Sequence, residues 1–316
     1  MKRRIKRNMT TVLVMLMMGG LVLGGGSAAL AAFPQTPVKK CAVDAVVSGT
    51  VCMDKYEASV WRVPAPTTIN KSLVKKIQQG KATVADLTAG GGTQLGVAGD
   101  NYTPCTDNGQ NCANDIYAVS LAGETPAAYI TWFQAQEACA NAGKRLPTSA
   151  EWQVGANGTP DPGPDNGTTD CNTASTFAVS LTGSRSACVS SRGAFDMVGN
   201  LFEWVADWVP RSTACPGWGG FSDDYMCLSG ASDTALGPGA LLRGGYFIIG
   251  TNAGPLAAVA AGRRARSAAS ASVAPASHVL LAIWSCALWR PVDGRGFWPV
   301  RPRDAAGERI AKRVAI

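Results

Sequence analysis

Histidine is nearly absent, with His278 alone in 316 residues. No C-x-x-C pair occurs either, and this want of clustered Cys and His ligands argues against a zinc site. A Ser/His/Asp or Cys/His nucleophile meets the same shortage. Charge is also scarce, at 16% of residues against roughly 25% in an average soluble chain. Beyond the N-terminus no apolar run reaches the roughly 18 residues of a membrane span, which excludes a multi-span membrane protein. Disorder throughout is excluded by a hydrophobic content of 46%.

What charge there is divides unevenly. Residues 1–32 hold five basic groups and no acid, and residues 255–316 hold ten basic groups against three acids. Between them, residues 33–254 carry 14 basic and 19 acidic groups, a net of −5. The overall +7 therefore belongs to the ends, and the acidic body argues against nucleic acid as a partner. The first 31 residues have the layout of a secretory signal peptide. A basic start precedes the apolar run Val12–Leu23, and Ala29-Leu30-Ala31 fits an A-x-A cleavage site. The expected location is secreted, periplasmic or otherwise extracytoplasmic, with no transmembrane span after cleavage.

In an oxidising compartment ten cysteines imply disulfides. Eight fall into local couples: Cys41/Cys52, Cys105/Cys112, Cys171/Cys188 and Cys215/Cys227. Proximity suggests these pairs, but sequence does not fix connectivity. Cys139 and Cys286 are left over.

With 36 glycines and 18 prolines, much of the chain is expected as turns and irregular loops. Cys52–Trp61 reads as a strand leaving a Cys-closed turn. Residues 64–122 read as insertion loops, with a polar helical piece at Lys71–Gly80. Phe133–Asn141 has the Ala-rich periodicity of a helix stopped by Gly143. Thr148-Ser-Ala-Glu151 has the spacing of a capping box, so a short helix follows over Ser149–Val154 with Trp152 buried. Glu57, Glu124 and Glu151 are available for acid–base work, although structural roles are the simpler assignment.

Four segments stand in an order that resembles one known family. They are Tyr56-Glu57, Gly143-Lys-Arg-Leu-Pro-Thr-Ser-Ala-Glu-Trp152, Gly193-Ala-Phe-Asp-Met-Val-Gly-Asn-Leu-Phe-Glu-Trp204 and Arg243-Gly-Gly-Tyr-Phe247. Together they are similar to the signatures of the formylglycine-generating enzyme, or sulfatase-modifying factor, family. The resemblance implies a single irregular α+β domain of C-type-lectin-like fold with little regular secondary structure, here spanning 41–262. It implies structural roles for Glu57, Arg145, Thr148, Glu151, Trp152, Asn200, Trp204, Arg243, Gly244 and Gly245.

Two metals follow from the resemblance. A calcium site maps to Asp196, the carbonyls of Gly199 and Leu201, and Glu203, a set of oxygen donors suited to a hard cation; the competing role for both acids is hydrogen bonding to loop backbone. Active members also bind copper through two cysteines and use oxygen to convert the Cys of a sulfatase C-x-P-x-R segment to formylglycine. Here Tyr246 occupies the catalytic serine position, and Ile249 and Gly254 occupy the two cysteine positions. A soft cuprous ion needs thiolates, so copper chemistry is expected to be absent. The related iron-dependent sulfoxide synthases hold iron with several His and fit no better.

Beyond Gly262 lies an atypical basic and apolar tail, residues 263–316, without the family's closing Gly-Phe-Arg-Cys. That departure implies a frameshifted or replaced C-terminus, with the last strand unmade and Cys139 unpaired. A disordered extension and a membrane-surface or partner anchor are the alternatives for its apolar run. The expected function is that of an exported pseudoenzyme, a binding or structural module for a protein, peptide or glycan. Two alternatives stand beside it: an active formylglycine-generating oxidase, and a ligand-display lectin-like protein whose variation falls within residues 246–262.

Overall fold

A computed structural model describes residues 40–210, 220, 222–224, 226–227, 238–262, 281–282 and 286–288. The segment expected as a signal peptide, Cys215, His278 and most of the tail lie outside these residues, and with Cys215 goes the expected Cys215/Cys227 pairing. The elements in chain order are β1 (Ala45–Ser48), β2 (Val51–Asp54), β3 (Ala58–Arg62), α1 (Lys71–Gln78), α2 (Val84–Ala89), β4 (Thr93–Leu95), β5 (Ile116–Ser120), α3 (Trp132–Asn141), α4 (Ser149–Ala156), β6 (Phe202–Pro210), β7 (Met226–Cys227), β8 (Pro238–Arg243), β9 (Ala258–Gly262), β10 (Leu281–Ala282) and β11 (Ala287–Leu288). A 3-10 turn, Gly250–Asn252, precedes β9. Helices run six to ten residues and strands two to nine, short elements in keeping with the glycine and proline content. The fold is an irregular α+β domain.

Three small sheets carry the strands, in the orders β1-β2-β11, β4-β3-β5 and β10-β6-β8-β9-β7. The β1–β2 hairpin is tied by the Cys41–Cys52 disulfide. The stretch expected as insertion loops, residues 64–122, is mostly loop and carries four short regular elements. It supplies α1, α2, β4 and β5, and both strands pair antiparallel with β3. All five residues of β5 are buried; alternation with period 2 is lost when both faces of a strand are covered, so this strand gave no signal of its own.

Three capping boxes set helix starts. Thr83, Thr131 and Thr148 each accept from the amide three residues on, and the side chain of that third residue returns to the cap amide. On α3 the buried residues Gln134, Ala135, Ala138 and Cys139 form one face, spaced as a helix packed on a core demands. The main core joins that face to Ile116, Ile130, Leu146, Leu201 and Trp204. A second cluster holds Trp152, Met53, Met197 and Val205 beneath α4.

The tail corrects one expectation. Cys139 is bonded to Cys286, across a sequence separation of 147. Next to it, Ala287–Leu288 pairs antiparallel with β2 as the third strand of that sheet. Cys286 is fully buried; its amide donates to Asp54 Oδ2 at 3.0 Å, and its carbonyl accepts from the Asp54 amide at 3.1 Å. An atypical sequence thus still delivers a cysteine and a strand to the place that Cys139 and β2 leave open. Cys105–Cys112 and Cys171–Cys188 pair as their proximity suggested.

Candidate functional site: a buried carboxylate hub and the loop after Arg243

The Gly143–Trp152 segment builds a frame. Lys144 is buried between two carboxylates, with Nζ 2.5 Å from Asp54 Oδ1 and 3.3 Å from Asp44 Oδ2. The pair of negative charges raises the Lys144 pKa against the opposing effect of burial. Arg145 grips Glu151 with both terminal nitrogens, at 2.8 and 2.7 Å, while Glu151 also accepts from the Thr148 amide at 2.8 Å. Glu151 is therefore committed to the cap and the ion pair. That frame fixes Trp152, which is fully buried and donates its indole N–H to Glu203 Oε2.

The Gly193–Trp204 segment enters the left-handed region at four residues, Gly193, Asp196, Gly199 and Asn200. Asp196 has φ 60° and Asn200 φ 52°, a conformation that Asn and Asp tolerate better than most residues. At Gly199 (φ +76°) an added Cβ would lie 2.3 Å from the Asn172 carbonyl oxygen, so only glycine fits. Asn200 is the hub of this turn. Its Oδ1 accepts from Asn172 Nδ2 at 3.0 Å and from the Ser180 amide at 2.8 Å. Its Nδ2 donates to Glu57 Oε2 and to the Ser180 carbonyl. Its backbone accepts from the Phe247 amide at 3.1 Å. Sequence reasoning gave Asn200 a structural role without finding these partners, which lie up to 143 residues away.

Glu57, Asp196 and Glu203 are all buried. Burial pushes Glu57 and Glu203 well above the ordinary carboxylate range and Asp196 up to about 7. The charge of Asp196 adds to the rise at Glu57, and both Glu57 and Asp196 add to it at Glu203. One oxygen of Glu57 and one of Glu203, Oε1 in each case, lack a hydrogen-bond partner. Such orphaned oxygens fit a hard cation. Asp196 is differently placed, since its Oδ2 accepts from the Gly183 amide at 2.7 Å and Arg185 draws its pKa down. Among the described residues no three His, Cys, Asp or Glu side chains form a metal-holding group. A cation here would rest on Glu203, with backbone carbonyls of the Gly199–Leu201 turn supplying further oxygens.

Arg243 joins this hub to the loop that follows it. The guanidinium lies 4.6 Å from the Trp152 ring centre, a cation–π arrangement; one of its nitrogens donates to Gln153 Oε1 and the Pro255 carbonyl. The Gly244 carbonyl accepts from the amides of both Gly199 and Gly254, at 3.1 and 3.2 Å, so the two glycine motifs share one acceptor. Tyr246 is buried against Phe202 and Phe247. Ile249 packs on the cluster of Cys171, Cys188, Val198 and Ala253. Neither Ile249 nor Gly254 offers a thiol, and among the described residues no cysteine is free. Copper does not fit. Asp224, which lies against Gly254, was missed by sequence reading, because 30 residues separate the two and no local pattern joins them.

Residues 97–279 match the sulfatase-modifying factor enzyme 1-like domain, and the chain belongs to this sulfatase-modifying factor family. Among curated proteins it is similar to the serine/threonine-protein kinase Pkn1 of Chlamydia trachomatis serovar L2, with 36% identity over 132 residues. That match covers 39% of this chain and 19% of the kinase. Pkn1 of Chlamydia caviae is 35% identical over 85 residues, 26% of this chain and 14% of its own. The chain thus spans less than a fifth of these relatives. Among solved structures it resembles the Major Tropism Determinant I1 variant, at 18% identity and TM-score 0.36, over 73% of this chain and 50% of that one. The U1 variant follows at 19% identity and TM-score 0.35, over 79% and 55%.

Proposed function

We propose that this chain is an exported member of the family that has lost copper oxidase chemistry and acts as a binding or structural module for a protein, peptide or glycan. One observation carries the reading: the positions that the family resemblance assigns to two copper thiolates hold Ile249 and Gly254, while Cys41, Cys52, Cys105, Cys112, Cys139, Cys171, Cys188 and Cys286 are tied up in disulfides. Four disulfides support assembly in an oxidising compartment. No helix among the described residues is long and apolar enough to cross a membrane.

The decisive experiment incubates the mature chain with a C-x-P-x-R peptide, oxygen and cuprous ion, beside an authentic formylglycine-generating enzyme, and follows the peptide by mass spectrometry. The peptide cysteine stays unconverted if the reading holds. Conversion to the aldehyde would restore the oxidase alternative. The ligand-display alternative needs variable side chains at the surface of residues 246–262. Among the described residues of that segment Thr251 and Asn252 are exposed and Ile248, Gly250, Pro255 and Leu256 half-buried, and sequence variation between sister strains confined to 246–262 would favour that alternative.

Calcium belongs to the same proposal, held by Glu203 and turn carbonyls. Its chemistry there is structural, neutralising a buried carboxylate that otherwise costs stability when ionised. Calcium is expected to raise the thermal unfolding midpoint of the native chain at pH 7.5 and to leave that of Glu203→Gln unmoved. Equal shifts in both proteins would remove Glu203 from the site.

A further inference from the structure

Gly254 is not merely a missing ligand. The Asp224 carboxyl group lies broadside against its α-carbon. A Cβ built on Gly254 would stand 1.7 Å from Asp224 Oδ1, 2.3 Å from the carboxyl carbon and 2.4 Å from Oδ2. Non-bonded atoms in a close-packed interior do not approach so far, so residue 254 carries no side chain while Asp224 stays where it is. Asp224 is itself held. It is 2% exposed, its Oδ2 accepts from the Leu256 amide at 2.8 Å, and its own amide donates to Ser222 Oγ at 3.1 Å.

The surrounding loop is closed around that contact. The Gly254 amide donates to the Gly244 carbonyl at 3.2 Å, and the Gly254 carbonyl accepts from the Ala257 amide at 3.1 Å. The Asp224 carboxylate therefore spans the turn from Gly254 to Leu256 and fixes it by a charge-assisted hydrogen bond. A carboxylate in this place is also a hard oxygen donor, the wrong partner for a soft cuprous ion.

We propose that Asp224 fills the space of the second copper thiolate and clamps the loop after Arg243-Gly-Gly, so that cysteines restored at 249 and 254 do not restore a copper site until Asp224 is removed. The inference rests on the reading that copper chemistry is absent here, and it adds the physical obstacle. Loss of the thiolates and occupation of their space are then two separate changes, and reversing one is insufficient.

Two sets of variants of the full chain test it. In the first, Gly254→Ala is made in the native and the Asp224→Ala backgrounds, and thermal unfolding is followed. Gly254→Ala lowers the midpoint by several degrees in the native background and by clearly less once Asp224 is gone, because contacting residues couple. Equal losses in the two backgrounds, or no loss, would overturn the proposal. In the second, Ile249→Cys/Gly254→Cys is compared with the same pair plus Asp224→Ala for retention of cuprous ion against bicinchoninate under anaerobic conditions. The double variant gives up copper as readily as the native chain, and the triple variant retains it stoichiometrically. Retention by the double variant, or failure of a folded triple variant to retain copper, would overturn the proposal. Should the cysteine variants not fold, the alanine set decides alone. Peptide conversion by the native chain would instead count against the parent reading, independently of either set.

Discussion

Asn200 and the carboxylates around it show how one turn governs the interior. Its amide satisfies one oxygen of Glu57, while Glu57 Oε1 and Glu203 Oε1 stay without partners. The consequence is a pH dependence whose sign can be stated. Asp196 has a folded pKa of about 7 against an unfolded value near 4. Below about pH 4 both states hold the proton and the stabilisation is complete; as pH rises toward 7 the unfolded chain has already released a proton that the folded chain keeps, so stability falls. Asp54, pushed up to about 6 by burial, acts in the same direction. Asp165 and Glu151 have lowered pKa values, and their contributions are lost only in more acid solution. Calorimetry at constant ionic strength should therefore show the midpoint falling between pH 5 and pH 7.5, with a shallower fall in Asp196→Asn. A flat profile for the native chain would mean that these carboxyls are not buried in their protonated forms.

Among the elements, α4 bears the most on the hub relative to its size. It is a helix of eight residues, too short to hold without its cap and its packing. Thr148 supplies the cap, Ser48 Oγ donates to the Glu151 carbonyl at 2.7 Å, and Asp207 accepts from the Ser149 amide at 2.6 Å. Thr148→Ala is expected to cost about 1 kcal/mol in denaturant unfolding. Thr148→Ser, which keeps the acceptor, should cost much less. This helix start was legible from Thr148 and Glu151 alone, because a capping box is closed by residues three apart. β5 was not, since it is buried on both sides and its pairing with β3 joins residues some 60 positions apart.

For the molecule as a whole, the Lys144 cluster and the Cys139–Cys286 bond secure one corner. Asp54 belongs to both, as it pairs with Lys144 and accepts from the Cys286 amide. Removing Lys144 would strand two buried carboxylates, so Lys144→Met is expected to lose about 3–5 kcal/mol. Partial recovery is expected when Asp54→Asn is added, read from the same unfolding curves. The disulfide closes a separation of 147 residues, which in the chain-entropy account stabilises by about 4–5 kcal/mol. A Cys139→Ala/Cys286→Ala chain should lose stability of that order in guanidinium unfolding. Loss under 1 kcal/mol would indicate that the tail adds little to the fold.

Sequence by itself determined features whose parts lie close together in the chain, the Thr148 capping box and the burial of Trp152, and by proximity it suggested the Cys41/Cys52, Cys105/Cys112 and Cys171/Cys188 couples that the structure joins. It also determined the family, through four motifs of two to twelve residues, and the lack of thiols at 249 and 254. Tertiary structure alone decided that Cys139 meets Cys286, that Lys144 meets Asp44 and Asp54, that Asn200 reaches Glu57, and that Asp224 covers Gly254. Each of these joins residues 30 to 147 positions apart. Capping and turn geometry are enforced by bonds within a few residues and leave a local pattern, whereas the partner of a buried charge or thiol is chosen by whichever distant segment the packed core brings to it.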